Sequence, residues 1–205
     1  CPACGSREHR LIAHVNYSRL VRCTCGLVMT NPQPVFDEYY LFSSKYTEPA
    51  LRMADDLIRS MRKMMQDAGM DDGKFRQMKF LDIGCNSGLM LYQMREKYGV
   101  PNRNLYGIDT FSVAVKDARA RGLNVVNREL KDLKDGSYDV VILSKTIEHF
   151  DDPAAMLKEI NRVLKPNGAV VLLMVPNSES ILRDDPALPS PFTAEPADHM
   201  FHFDS

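Results

Sequence analysis

The chain has 205 residues, of which 44% are hydrophobic and 26% charged, and its formal net charge is -1. A chain of this length can bury a sizeable core, which favours one globular domain with a small appendage. The near-neutral charge excludes a global basic field that would attract nucleic acid, and no apolar run reaches the length of a membrane span. No signal peptide opens the sequence at Cys1, so we expect a cytoplasmic protein that begins inside a longer chain.

Four of the five cysteines lie near the start of the chain: Cys1, Cys4, Cys23 and Cys25. The first pair stands in Cys-Pro-Ala-Cys-Gly, which resembles a zinc knuckle. The second pair, Cys-Thr-Cys-Gly, is one residue shorter than in related zinc ribbons. Four thiolates complete a closed tetrahedral site, so we expect structural zinc in a ribbon-like segment over residues 1–30. Two alternatives stay open: recruitment of His9 or His14 in place of one cysteine, and reduced thiols without metal.

Residues 31–50 are predicted to form an aromatic connector. The sequence Asn-Pro-Gln-Pro at 31–34 interrupts any helix or central strand, and a cluster of aromatic residues follows it: Tyr39, Tyr40, Phe42 and Tyr46. Packing between the ribbon and the main domain is one interpretation of these rings. The main domain is expected over residues 51–205, and an apolar stripe over 51–68 predicts its first helix.

The stretch 79–90 reads Lys-Phe-Leu-Asp-Ile-Gly-Cys-Asn-Ser-Gly-Leu-Met and predicts a strand, a glycine turn and a helix. Glycine at 84 and 88 lets the backbone pass close under a ligand and adopt positive φ. The first amides of the helix then point into a crevice, where they can bind a polar or anionic group. The turn therefore predicts a cofactor site.

A second predicted strand, Asn-Leu-Tyr-Gly-Ile-Asp over 104–109, ends in the carboxylate of Asp109. An acidic residue about twenty positions after a glycine turn hydrogen-bonds a ribose hydroxyl in nucleotide-binding α/β units. We expect that role for Asp109. The alternative is helix capping, in which Thr110 or Ser112 opens the next helix and Asp109 favours its positive end.

The rest of the chain alternates between helix and strand patterns. Helices are predicted over 113–121 and 153–164, and strands over 123–126, 139–143 and 169–175. Near-continuous apolar runs suit strands that are covered on both faces, which predicts a doubly wound α/β sheet. Ligands bind such sheets outside the carboxyl ends of the strands. The residues placed there are Gly84, Asp109, Glu129, Ser144 and Asn177.

The spacing of the turn distinguishes two kinds of ligand that contain a nucleoside. A dinucleotide site requires a G-x-G-x-x-G spacing for its pyrophosphate, whereas this turn has Asn86 in the middle place. S-adenosylmethionine carries no phosphate, and the turn resembles the first motif of class I S-adenosylmethionine-dependent methyltransferases, D-I-G-C-G-x-G. Its string Ile-Gly-Cys-Asn-Ser-Gly is similar to the I-G-S-N-D-G variant of sugar C-methyltransferases. Asn is well able to adopt a left-handed conformation.

This resemblance extends through residues 138–168 and implies a Rossmann-like methyltransferase sheet. Such sheets end in a strand hairpin, which we expect beyond Ser205. The resemblance also implies a set of cofactor-binding residues: Tyr46, Asp82, Gly84, Cys85, Asn86, Gly88, Asp109, Thr110, Glu129, Leu130 and Ser144. Tyr46 would close over the methionine end of the cofactor or over the acceptor, and the segment Arg128-Glu129-Leu130 would flank adenine.

Methyl transfer to a poor nucleophile requires a base, and histidine is the usual base near neutral pH. The segment 198–203 resembles the E-H-x-x-Y-F sequence that sugar C-methyltransferases place against the acceptor, with Asp198 in the place of Glu. We therefore expect His199 to be the base. His149 and His202 are the other candidates. The alternative for His199 and His202 is a surface or packing role, and the alternative for His149 is a hydrogen bond at the rim of the sheet.

The resulting hypothesis is S-adenosylmethionine-dependent methyl transfer to a small molecule, a sugar or sugar nucleotide methylated at carbon or oxygen. Two alternatives stay open. A ribosomal RNA methyltransferase can also carry a zinc ribbon, although the neutral charge disfavours it. A non-catalytic S-adenosylmethionine-binding module would keep the fold without turnover.

Overall fold

The computed structural model describes residues 1–15, 18–31, 46–176 and 201–202. The chain divides into two units. One unit contains the described parts of Cys1–Asp37, Lys145–Leu157 and Met174–Ser205, and the other those of Glu38–Ser144 and Lys158–Leu173. The boundaries expected from the sequence, 1–30, 31–50 and 51–205, stay predictions.

The described strands and helices alternate through most of the chain. The strands are β1 (His9–Val15), β2 (Ser18–Cys23), β3 (Val28–Asn31), β4 (Phe80–Ile83), β5 (Leu105–Ile108), β6 (Val125–Val126), β7 (Tyr138–Ser144), β8 (Leu164–Leu173) and β9 (Phe201–His202). The helices are α1 (Glu48–Asp67), α2 (Leu89–Glu96), α3 (Ser112–Ala120) and α4 (Pro153–Val163). Among the described helices, none is long and apolar enough to cross a membrane.

The first unit contains an antiparallel sheet in the order β1-β2-β3-β9. A small apolar core stabilises it, formed by Val21, Cys23, Met29 and Phe201, each less than 9% exposed. The sequence pattern did not predict these strands, because they are short and interrupted by charged residues. Cys23 ends β2, and the other three N-terminal cysteines lie outside the strands, before β1 and between β2 and β3.

The second unit contains a parallel sheet in the order β6-β5-β4-β7-β8, which confirms the predicted α/β class. Central strands β4 and β7 are almost wholly buried, as their continuous apolar sequences require. The predicted apolar stripe of α1 is buried in the core at Ala54, Ile58, Met61 and Met65. All four parallel pairings run in one direction, so the carboxyl ends of the strands share one edge.

Three predicted boundaries differ from the structure for local reasons. Helix α1 begins at Glu48, because the Thr47 side chain accepts a 3.4 Å hydrogen bond from the Ala50 amide. Strand β8 begins at Leu164, since a shift in its pairing with β7 accommodates the Pro-Asn-Gly sequence that was expected to separate helix from strand. Strand β6 is shorter than predicted, because the amide of Leu123 donates to the carbonyl of Ala118 in α3.

Candidate cofactor site and cysteine cluster

The glycine turn joins β4 to α2 at the carboxyl edge of the parallel sheet. Gly84 has a φ of +70° and donates a 2.9 Å hydrogen bond to the carbonyl of Ile108 in β5. Asn86 has a φ of +50°, which confirms the left-handed conformation expected of Asn at this place. The structure thus has the strand, turn and helix that the sequence pattern predicts here.

Glycine is most strictly required at Gly88, the residue that caps α2. Its φ of +78° is strained for any residue with a Cβ atom. A Cβ atom there would also lie 2.6 Å from Cδ1 of Leu123, closer than side chains pack. The turn therefore packs directly against the segment between α3 and β6.

Asp109 ties the glycine turn to the start of α3. Its Oδ2 accepts a 2.7 Å hydrogen bond from the amide of Asn86, and its Oδ1 accepts a 2.8 Å bond from the amide of Phe111, the N-cap residue of α3. The bond from the Phe111 amide belongs to the helix-capping role, which is the alternative to ribose binding for Asp109. A carboxylate has about four lone-pair positions, so these two bonds leave acceptor capacity for a ligand.

Two buried acidic groups lie at the floor of the turn. Burial, with the charge of Asp109 as a smaller contribution, raises the pKa of Asp82 to about 8. Burial also raises the pKa of the Cys85 thiol well above its usual value, with smaller contributions from Asp82 and Asp109. Both groups are therefore protonated at neutral pH.

Tyr46 lies on the glycine turn and is fixed from three sides. Its hydroxyl donates a 2.6 Å hydrogen bond to the carbonyl of Ser87. Its ring contacts Tyr92 edge to face at 5.0 Å between centroids, and the guanidinium of Arg121 lies 3.8 Å from its centroid. Burial raises the pKa of Tyr46 to about 12, so the hydroxyl remains a donor. The contacts of Tyr46 were not predicted: Ser87 lies inside the turn motif, but Tyr92 and Arg121 carry no motif, and only the fold brings the three residues to Tyr46.

The remaining predicted cofactor residues follow the ends of neighbouring strands. The carbonyl of Thr110, after β5, accepts a 2.7 Å bond from Nδ2 of Asn127. Leu130, after β6, is buried, and the exposed Glu129 beside it pairs with Lys131 at 2.5 Å. Ser144 ends β7. Parallel strands place all of these at the same edge as the glycine turn.

The candidate catalytic residues lie in the first unit or outside the described residues. Asp198 and His199 belong to the undescribed part, as does Asn177, and His202 is described only through its backbone pairing in β9. His149 ends a short 3-10 helix and donates its backbone amide to the carbonyl of Thr146 at 3.0 Å.

The structure adds Glu148 to the residues of interest. Its side chain is fully buried, and burial raises its pKa to about 7. A carboxyl group with a pKa near neutrality is typical of functional sites. Glu148 lies in the 3-10 helix Ile147–His149, after the end of β7 at Ser144. Its place in the stretch 138–168, which resembles the methyltransferases, was the sequence signal for it.

The four N-terminal cysteines form one cluster, with all sulfur atoms within 4.8 Å of one another. Sγ of Cys1 lies 3.7 Å from that of Cys25, and Sγ of Cys4 lies 3.5 Å from that of Cys23. Tetrahedral zinc with bonds of about 2.3 Å requires sulfur separations of about 3.8 Å, so the cluster fits this ion. The shortened second pair is therefore compatible with four-sulfur ligation, and the cluster includes neither His9 nor His14.

The parallel sheet, the glycine turn after β4 and the carboxylate after β5 define the class: a Rossmann-like fold of the S-adenosylmethionine-dependent methyltransferases. The chain belongs to the protein family described as "Methyltransferase domain", which matches residues 53–205.

Three curated relatives illustrate the similarity. An uncharacterized 37.1 kDa protein in transposon TN4556 of Streptomyces fradiae is 34% identical over 65% of this chain and 39% of its own length. The ubiquinone biosynthesis O-methyltransferase of Idiomarina loihiensis is 32% identical over 48% and 42%. The nocamycin O-methyltransferase of Saccharothrix syringae is 35% identical over 45% and 36%. The chain therefore spans less than half the length of these relatives.

Proposed function

We propose that this chain transfers the methyl group of S-adenosylmethionine to a small-molecule acceptor. The observation that carries the proposal is the link between Asp109 and Asn86, which joins a carboxylate after one strand to the glycine turn after its neighbour. This arrangement offers acceptors for a ribose diol beside backbone amides. Membership of the methyltransferase-domain family and the names of the O-methyltransferase relatives support it.

Each part of the cofactor has proposed contacts. Asp109 accepts from the ribose hydroxyls, with Thr110 beside it, and the segment at Glu129 and Leu130 flanks adenine. The turn itself, with Ser144 and Tyr46, holds the methionine half. The turn residues that contribute backbone or packing to this site are Asp82, Gly84, Cys85, Asn86 and Gly88.

The reaction demands positioning more than activation. The methyl carbon of a sulfonium is already electrophilic, and alignment of an acceptor with the carbon–sulfur bond can contribute about 7 to 11 kcal/mol. The acceptor attacks the methyl carbon, the bond electrons pass to sulfur, and a base removes the acceptor proton. We propose His199 as that base with Asp198 beside it, and His149 as the second candidate.

The proposed acceptor is a sugar or sugar nucleotide. The support is the similarity of the glycine turn and of segment 198–203 to sugar C-methyltransferases. The relatives named for O-methylation favour oxygen over carbon as the accepting atom. A hydroxyl is a weak nucleophile, which agrees with a general base at His199.

A labelled-transfer assay tests this function. The protein is incubated with methyl-labelled S-adenosylmethionine and, separately, with nucleotide sugars, free phenols and ribosomal RNA. Label on a small molecule, lost in His199→Ala and retained in Lys63→Ala on the exposed face of α1, supports the proposal. Label on RNA supports the ribosomal RNA alternative. Cofactor binding without transfer to any acceptor supports the non-catalytic module.

We further propose that Cys1, Cys4, Cys23 and Cys25 hold one structural zinc ion. The sulfur separations and the two tight turns that present them support this assignment, with Gly5 donating to the carbonyl of Cys1 and Gly26 to that of Cys23. Four thiolates leave no open coordination position, so the ion would stabilise the β1–β3 sheet and take no part in methyl transfer.

A further inference from the structure

The second unit contains a cavity of about 600 Å³ beside strands β5, β6 and β7. This volume lies within the range of small-molecule sites, which is about 300 to 1,000 Å³. Of the residues assigned above to the cofactor, the cavity lining includes only Arg128 of the segment that would flank adenine. Leu81 and Ile108, also in the lining, directly precede Asp82 and Asp109.

The charged residues of the lining all have the same sign. Arg103, Arg119 and Arg128 line the cavity, and its lining contains no carboxylate. Within the described parts of the chain, no ion pair engages these three arginines, although eleven other lysines and arginines are paired with acids. Three unpaired cations around one cavity are notable in a chain whose net charge is -1.

One of these arginines is fixed by the sheet. Nε of Arg119 donates a 2.8 Å hydrogen bond to the carbonyl of Val125 in the edge strand β6. This bond uses one of the five guanidinium donors and leaves the two terminal nitrogens for a ligand. A planar guanidinium held in place matches the paired oxygens of a carboxylate or phosphate.

The floor of the cavity is apolar and aromatic. The rings of Tyr106 and Tyr138 lie 5.7 Å apart at an angle of 72°, beside the fully buried Leu81. Burial raises the pKa of Tyr138, so its phenol stays neutral at physiological pH and adds no charge that would oppose an anion. Aromatic edges and faces provide contact area for a flat ligand.

We propose that this cavity binds a small organic anion, a phosphate or carboxylate group carried on a flat apolar body. The arginines bind the anionic group, and the tyrosines with Leu81 contact the body. The cavity adjoins the proposed cofactor site at Arg128 and does not depend on the methyltransferase activity proposed above. Its lining includes neither the glycine turn nor Asp109, so its ligand and S-adenosylmethionine are expected to bind together.

Calorimetric titration of the whole chain with 1-naphthyl phosphate and with 1-naphthoate tests the proposal. Both combine an anion with a flat apolar body, and the tighter of the two identifies the anionic group. We expect the dissociation constant to be at least tenfold larger in the double variant that combines Arg103→Met and Arg128→Met. It should not change in Arg52→Met, which removes an exposed arginine of α1. The neutral 1-naphthol should bind at least tenfold more weakly than either anion.

A second titration separates this cavity from the cofactor site. With S-adenosylhomocysteine at saturation, the dissociation constant of the preferred naphthyl anion should stay within twofold. Loss of binding under that condition, equal binding by the double arginine variant, or no binding of either anion to the folded wild type would overturn the proposal. Arg119→Lys keeps the charge at the sheet edge and should weaken binding less than Arg119→Met.

Discussion

The guanidinium of Arg121 lies 3.8 Å from the centroid of the Tyr46 ring, while the hydroxyl of the same tyrosine bonds the carbonyl of Ser87 in the glycine turn. Arg121, at the end of α3, thereby holds Tyr46 against the turn, just before the Thr47 cap of α1. Arg121 also pairs with Asp117 at 3.3 Å, which orients the guanidinium. A cation–π contact of this kind contributes about 0.5 to 2 kcal/mol.

Replacement of Arg121 should therefore weaken cofactor binding through Tyr46. For Arg121→Met we expect the dissociation constant of S-adenosylhomocysteine to rise about three- to tenfold, because a contact of about 1 kcal/mol that orders Tyr46 is lost. Calorimetric titration measures the change, and Arg52→Met on α1 is the matched control. Arg121→Lys, which keeps a cation, should recover part of the affinity.

A double-variant cycle distinguishes positioning of Tyr46 from a direct role of Arg121. If Arg121 acts through the ring, Arg121→Met should have little further effect in a Tyr46→Leu background. Full additivity of the two effects would show that Arg121 contacts the cofactor or stabilises the fold independently of Tyr46.

Substitution at Gly88 should destabilise the protein more than substitution at an open glycine. Gly88→Ala combines a strained left-handed φ with a Cβ atom 2.6 Å from Leu123, and we expect a loss of about 3 kcal/mol. Gly136→Ala is the control, because its φ is also positive but no atom lies within 4 Å of the new Cβ; it should cost about 1 kcal/mol. Thermal unfolding monitored by circular dichroism compares the two, and equal losses would contradict the packing argument.

The buried carboxyl group of Asp82 predicts a specific pH dependence. Burial raises its pKa in the folded state to about 8, whereas the unfolded value is about 3.9. Between these values the folded state binds the extra proton, so stability falls as the pH rises from about 4 to 8. The Asp82→Asn variant has no carboxyl group to titrate at this position. The unfolding free energy of the variant minus that of wild type should therefore rise between about pH 4 and 8 and level off above pH 8.

Glu148 provides the control for this measurement. Its folded pKa is about 7, so the relative stability of Glu148→Gln should stop rising near pH 7. Denaturant titrations at pH 5, 6, 7, 8 and 9 separate the two curves. A relative stability of Asp82→Asn that does not change between pH 5 and 8 would show that Asp82 is ionised in the folded protein.

Metal analysis of the purified chain tests the cysteine cluster. We expect one zinc ion per chain, its loss in Cys4→Ser, and its retention in Cys85→Ala, which changes the cysteine outside the cluster. Removal of the ion with a chelator should accelerate hydrogen exchange of the β1–β3 amides, because metal binding is coupled to folding. Wild-type protein that contains no zinc and exposes four freely titratable thiols would contradict the assignment.

The sequence predicted those features of the candidate site that depend on residues close to one another in the chain. The left-handed Asn86 and the carboxylate at Asp109 follow from strand patterns and turn chemistry, because each depends on residues close by in sequence. The cysteine cluster likewise follows from two short motifs. The start of β8 does not, since the pairing shift that admits Pro166 and Asn167 depends on the neighbouring strand β7.

Contacts between distant segments lay beyond what the sequence could predict. Arg121 is an ordinary basic residue at a helix end, and nothing in its neighbourhood indicates that it lies over Tyr46. The burial of Glu148 and the cavity at Arg119 depend in the same way on which elements pack together. Periodicity indicates which face of an element is buried, whereas only the assembled sheet determines its neighbours.

Binding of S-adenosylhomocysteine to wild type and to Asp109→Ala tests the central claim most directly. Asp67→Ala, which removes an exposed carboxylate of α1, is the matched control. Calorimetric titration should show binding to wild type and to Asp67→Ala, and at least tenfold weaker binding to a folded Asp109→Ala variant. Absence of binding to the folded wild type, or equal binding by Asp109→Ala, would contradict the assignment of this turn and carboxylate as the cofactor site.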